Sequence, residues 1–438
     1  MNNSTQRNAN WLVAVAVGAL LAAAGSLAPV TPAHAQEGRL GPHDNAASND
    51  KKGSKDAKHT VSRALAKPLK AAHDAMEAKK FPEALAKLKE ADGTSGKTPW
   101  DQHLINEMYG YVYAHTNDYA NAAKAFEATL NDGFIDPSEI PQRVKVLTQI
   151  NYQLKNYDKA IDYGMRQIKD GTASDETYTI VSQSYYLKND FKGTARFVGE
   201  MVDTGLKKGE TPKEQTLDLL LSACVKMQDS DCITRSLERL VTYYPKPEYW
   251  SNLVSTLFNV PNQNDKSLLN TFRLANEVDV LKRPDDYTEM AQLAIEQGSP
   301  GEAVRVLEKA FQKNVFPDAR SQDKNKRLLA SAKKAAQQDQ ATLDKTASDA
   351  DAAPTGQKDV GVGLAYLGYQ QYDKAVTELS KGIAKGGLKN DAEAHLLLGI
   401  AQLKAGHKDE AVKAFRAVKG EPNLERLANL WSLHAKQA

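Results

Sequence analysis

Small and apolar positions recur along this chain in blocks separated by short polar turns. Lys79-Lys80-Phe81-Pro82-Glu83-Ala84-Leu85 has the same plan as Asn117-Asp118-Tyr119-Ala120-Asn121-Ala122-Ala123. Asn156-Tyr157-Asp158-Lys159-Ala160-Ile161 and Asn189-Asp190-Phe191-Lys192-Gly193-Thr194-Ala195 repeat it. Further copies run through Ala303, Ala375 and Ala411, and a weaker one places Ile233 at the small position. The steps between these positions are 38, 38, 34, 39, 70, 72 and 36 residues. Each of the two long steps is close to two ordinary ones and accommodates one degenerate unit. Within a block the apolar spacings mix threes and fours, as one face of a helix requires. A period of 34–39 residues therefore predicts two antiparallel helices per unit, stacked along the chain.

The residues inside a unit support this reading. Gly110 faces the small Ala122, and Gly399 faces Ala411, so that two helices can approach closely; Phe126 or Phe415 fills the groove one turn later. Tyr287, Met290, Ala291, Ala294, Ala303, Leu307 and Ala310 lay out the same pattern in one further unit. On these residues the chain resembles the tetratricopeptide repeat (TPR) family over about residues 62–435. The resemblance implies an all-α, right-handed superhelix, an α-solenoid of about eight to ten helical hairpins. Thr194 and Ile233 depart from the family's alanine, and residues 248–283 and 318–355 match poorly.

The organisation expected is an N-terminal array over 61–317 that includes the degenerate unit 248–283, a C-terminal pair over 356–422, and a capping helix over 423–438. Residues 318–355 read as an irregular helical segment or hinge, with a thin stripe of Leu328, Leu329, Ala332, Ala335, Ala336 and Leu343 ending at Pro354. In the capping helix Leu424, Leu427, Leu430 and Trp431 share one face, leaving Glu425, Arg426, Lys436 and Gln437 to face water. Residues 1–35 read as a signal peptide: Arg7, an apolar run from Trp11 to Ala28, then Ala33-His34-Ala35, with cleavage after Ala35. Residues 36–60 are polar and Lys-rich and cannot bury a core, so a disordered arm is expected there. No later run is apolar enough to span a membrane, so no integral segment is expected once the leader is removed.

Composition narrows the function. The 57 basic residues nearly balance 55 acidic ones, so no strong field points to nucleic acid. Ala91-Asp92-Gly93-Thr94-Ser95-Gly96-Lys97-Thr98 loosely matches a phosphate-binding loop. It follows a helix rather than a strand, and reads as a turn between repeats. The nine histidines form no metal-binding pair and there is no Cys-x-x-Cys, so no metal, cofactor or catalytic residue is expected. Cys224 and Cys232, within one hairpin, are either disulfide-bonded or two buried small hydrophobes.

The family resemblance implies a groove lined by the first helix of each unit, taking extended or helical peptides. In the second to fourth repeats the residues expected there are Tyr111, Lys145, Gln149, Tyr152, Gln153, Gln183 and Tyr186. Tyrosine offers contact area at modest entropic cost, and glutamine bonds both peptide groups; the same tyrosines would equally serve as packing against the next repeat. The set that clamps chaperone C-termini in some family members is incomplete here: Gln149 stands where an Asn is needed. The function expected is a non-catalytic periplasmic or secreted scaffold or adaptor. It would bind protein partners in a cell-envelope complex: secretion, polysaccharide export, outer-membrane assembly or TonB-type energy transduction. The alternative is a chaperone-like holder of exported polypeptides.

Overall fold

A computed structural model describes residues 60–260 and 263–437. The expected signal peptide, and all of the expected arm except Thr60, lie outside the described residues. Every regular element described is an α-helix. Among the described residues nine hairpins form: α1 (Arg63–Glu77) with α2 (Phe81–Asp92), α3 (Pro99–His115) with α4 (Tyr119–Asn131), and α5 (Ile140–Gln153) with α6 (Tyr157–Lys169). Then come α7 (Asp175–Leu187) with α8 (Phe191–Lys207), α9 (Glu214–Met227) with α10 (Ser230–Tyr243), and α11 (Pro247–Phe258) with α12 (Asp265–Glu277). After α13 (Pro284–Glu296) and α14 (Pro300–Gln312) stands the single helix α15 (Ala319–Asp351). The pairs α16 (Gln357–Gly368) with α17 (Tyr372–Lys385) and α18 (Asp391–Lys404) with α19 (Lys408–Ala417) follow, and α20 (Pro422–Gln437) ends the chain.

One turn builds eight of these hairpins. Lys79, Asn117, Lys155, Asn189, Gln228, Gly298, Gln370 and Gly406 all have positive φ, and each stands two residues before its second helix. This left-handed residue ends the first helix and aims the chain back along it. In the α3/α4 turn the amide of Asp118 donates to the Tyr113 carbonyl at 2.9 Å; Asn156 to Asn151 and His407 to Gln402 repeat the bond at 2.8 Å. Three residues into each second helix sits the small position read from the sequence. Ala84, Ala122, Ala160, Thr194, Ala303, Ala375 and Ala411 are all fully buried, while the bulkier Ile233 is only half-buried. The glycines of the first helices pack differently from expectation. A Cβ on Gly110 would run into the Phe126 ring, and one on Gly399 into Phe415, so each glycine makes room for the aromatic ring. Gly399→Ala should therefore cost about 1–3 kcal/mol by overpacking, although alanine is the better helix former. A melting temperature equal to wild type would refute this packing.

The degenerate stretch 248–283 is an ordinary helix pair, α11 and α12, with Tyr249, Trp250, Leu253, Phe272 and Leu274 buried. Residues 318–355 are not irregular. α15 runs unbroken for 33 residues and packs on α14 and α16. Its sequence holds no Gly or Pro and is rich in Ala, Lys and Gln, all strong helix formers, so propensity carries it where the apolar stripe is thin. At its end Lys385 donates to the Ala350 carbonyl at 2.8 Å and to both Asp359 carboxylate oxygens at 3.0 Å.

The compact units divide near α9 rather than at 318–355. One contains residues 60–210 with Ser222–Gln228, the other Thr211–Leu221 with 229–437. The second unit is tied together by α20. Its apolar stripe is buried as expected and Gln437 is exposed as expected, but Arg426 is half-buried, and both residues bond to earlier helices. Arg426 Nη2 donates to Thr234 Oγ1 at 3.0 Å and Thr256 Oγ1 at 2.8 Å, and Gln437 Nε2 to the Val241 carbonyl at 2.8 Å. The last helix thus docks on α10 and α11, and its His434 lies 3.5 Å from Glu277 of α12. Lys404 reaches the same carboxylate at 3.1 Å. Burial disfavours the charge on Glu277, yet His434 and Lys404 outweigh it and pull its pKa from 4.5 to about 2. A depressed carboxylate stabilises above its unfolded pKa and loses that stabilisation as pH falls through the folded one. This contribution, on the order of 2 kcal/mol, should be complete at pH 6 and fade between pH 4.5 and 2. Thermal melts of wild type and Glu277→Gln across that range check it: the wild-type lead should shrink with acid, and a constant gap would contradict it.

Candidate protein-binding face

The row expected to line a groove lies in the first unit, on the first helices of consecutive hairpins. Lys145, Gln149 and Tyr152 share one face of α5, with Gln153 beside them. Glu176, in the first turn of α7, takes a hydrogen bond from Gln149 Nε2 at 2.7 Å and lies 3.7 Å from Lys145 Nζ. Tyr152 Oη donates to Gln183 Oε1 on α7 at 2.6 Å. Tyr186 Oη and Ser222 Oγ on α9 are 2.7 Å apart. The structure therefore brings Lys145, Gln149, Tyr152, Gln183 and Tyr186 into one ladder that crosses α5, α7 and α9. Burial, then the neighbouring Tyr157, pushes the Tyr152 hydroxyl above its usual range, so it is a fixed neutral donor. Gln153 is exposed beside the ladder.

Tyr111 belongs elsewhere. Its ring packs on His115 at 4.3 Å between centroids and against the core of the first two hairpins, around Leu65, Leu88 and Ile105. Burial, then Glu77, raises its hydroxyl pKa. Sequence reasoning missed Glu176 and Ser222. Glu176 is recognisable only as an acidic residue in a helix's first turn, a common preference that carries no sign of its cross-repeat partners.

Other candidate chemistry resolves into structure. The loop resembling a phosphate site joins two helices, α2 and α3; Thr98 caps α3 through Asp101, and Lys97 is held by Asp92 at 2.9 Å. Asp351, Asp359 and Glu378 gather three carboxylates, but Lys381 and Lys385 lie among them as ion-pair partners. Cys224 and Cys232 are disulfide-bonded. Among the described residues no helix is long and apolar enough to cross a membrane.

Comparison with known proteins agrees with this geometry. Residues 363–423 match the family model described as tetratricopeptide repeat. No curated protein sequence matches the chain. Among solved structures, a tetratricopeptide repeat protein from Parabacteroides merdae is similar at 12% identity, covering 69% of this chain and 99% of its own, with a TM-score of 0.28. The TPR2AB-domain:pHSP90 complex of yeast Sti1 is similar at 14% identity, covering 62% and 98%, with a TM-score of 0.30. Likenesses this loose carry no argument of their own. The family match covers residues 363–423, and the turn geometry of those hairpins recurs from α1/α2 to α18/α19.

Proposed function

We propose that the chain is an exported scaffold or adaptor that seats a protein partner along the α5–α7–α9 ladder. Tandem repeats of this family form protein-interaction scaffolds, and this coarse role follows from the fold. The observation that carries the finer reading is the ladder itself. Its polar groups are fixed by their neighbours before any partner arrives, so less conformational entropy is lost on binding. Half-buried tyrosine and glutamine beside an exposed Gln153 suit a peptide or helix laid across them.

An envelope location is part of the same proposal. Its support is the leader-like start of the sequence together with the Cys224–Cys232 bond, which oxidising compartments favour. The complex served there belongs to secretion, polysaccharide export, outer-membrane assembly or TonB-type energy transduction. Surface character favours the adaptor over a holder of unfolded chains. Met165 is the exposed large hydrophobic among the described residues, too little apolar surface to hold many clients.

The test is affinity capture from native envelope extract with residues 36–438 as bait. A second bait carries Lys145→Ala, Gln149→Ala and Gln153→Ala, changes that spare the buried tyrosine packing. A defined set of proteins retained by the first and lost by the second is expected. Equal recovery by both would move binding off this face.

A further inference from the structure

The second unit carries an open cleft of about 390 Å³, at the small end of ligand pockets, which span about 300–1,000 Å³. Its wall is divided: Ile400 and Trp431 are among its apolar residues, and Arg305, Gln312, Gln370 and Tyr372 among its polar ones. Most of the charges that border it are already matched. Arg273 holds Glu302 through two guanidinium nitrogens, Lys404 holds Glu277, Lys309 pairs with Asp279, and Lys333 pairs with Glu308. Arg305 is different. Its Nε donates to the Gly368 carbonyl at 2.9 Å, which fixes the guanidinium plane. Among the described residues its two terminal nitrogens have no hydrogen-bond or salt-bridge partner, and the nearby Glu302 is committed to Arg273.

We propose that this cleft binds a small monocarboxylate with an apolar body. The argument is charge complementarity and shape. One oriented guanidinium, whose charge acts on Glu302 but whose terminal nitrogens are unbonded, presents two N–H donors, the fork that matches a carboxylate. One unit of positive charge calls for one negative charge. A dianion would bring its second charge towards Glu277 and Glu302, whose cations Lys404 and Arg273 are already engaged. The wall of Ile400 and Trp431 then takes the ligand's apolar part, removing it from water. Gln312, Gln370 and Tyr372 supply donors and acceptors for a polar substituent on that body. The site is in the second unit, whereas the proposed partner face is in the first, so either stands without the other.

Calorimetry on the full chain tests this with octanoate and 3-phenylpropanoate as probes, 3-phenylpropanamide as the neutral isostere, and inorganic phosphate as the polar anion. Saturable binding of at least one carboxylate is expected. The amide should bind at least about tenfold more weakly, since a charge-assisted hydrogen bond is lost. Arg305→Gln should lose a similar factor, with Arg305→Lys, which keeps the charge but not the fork, falling between. Phosphate should not compete. No binding of either carboxylate, equal binding of acid and amide, phosphate binding in their place, or undiminished binding by a folded Arg305→Gln protein would each overturn the proposal. The acid–amide comparison is made on the unaltered protein and stands even if the variants fold poorly.

Discussion

Arg273→Met should destabilise the protein by about 3–5 kcal/mol, because it strands a buried carboxylate. Arg273 and Glu302 are 6% and 9% exposed, and Nη2 lies 2.7 Å from Oε2. Burial pushes the Glu302 carboxyl up, but Arg273 outweighs it and holds the group below its usual range. Without Arg273 the burial effect, the largest of the influences, is opposed only by Arg305 and a Ser299 hydrogen bond, and Glu302 is expected to take up a proton in the folded state. Its folded pKa would then exceed the unfolded one, so the variant's deficit should grow as pH rises through the carboxylate range and shrink in acid. The double variant Arg273→Met/Glu302→Leu removes both charges and should recover most of the loss, since apolar replacement of a buried pair is often neutral. Denaturant titration of the three proteins at pH 5 and 8 checks this. A double variant no more stable than the single one would show that the pair contributes more than its own neutralisation.

The second large effect belongs to the last helix. Trp431 is 1% exposed and stacks near Phe415, with ring centroids 6.1 Å apart. Trp431→Ala should cost about 3–5 kcal/mol in lost burial and cavity formation. Trp431→Phe should cost much less, because the indole Nε1 is buried without a hydrogen-bond partner and its removal relieves an unsatisfied donor. Hydrogen exchange should also locate the damage. With α20 loosened, Arg426 and Gln437 release Thr234, Thr256 and Val241, and amides of α10 and α11 should exchange faster. Loosening confined to α18–α20 would argue against the docking described for Arg426 and Gln437.

The parts legible in the sequence were those written locally and repeatedly. The small residue three places into each second helix set the register of the hairpins. Tolerance of variation there follows from size: Thr194 still fits fully buried, whereas Ile233 is held half-exposed. The helix pair over 248–283 was legible only as a gap of the right length, because its large Tyr249, Trp250 and Phe272 replace the small-residue pattern. α15 was misread because a thin apolar stripe was taken for irregularity, when unbroken helix propensity was the stronger signal. The docking of α20 had no local trace. Arg426 and Gln437 find partners 170–196 residues earlier, and nothing near them in sequence distinguishes such residues from solvated ones.

The candidate face was partly legible for the same reason. Helical spacing placed Lys145, Gln149 and Tyr152 together, and the repeat period placed α7 beside α5. It could not show that the hydroxyls of Tyr152 and Tyr186 would be spent on Gln183 and Ser222. Nor could it show that Tyr111, equally aromatic and on an equivalent helix, would turn into the core of the preceding hairpins.

Site-specific photocrosslinking in the native host tests the central claim most directly. A photoreactive phenylalanine analogue is placed at Gln153, exposed beside the ladder, or at Met165, exposed on α6. The account predicts a discrete protein adduct from position 153 and none from position 165. An adduct from 165 alone, or from neither position, would contradict a partner seated along α5, α7 and α9.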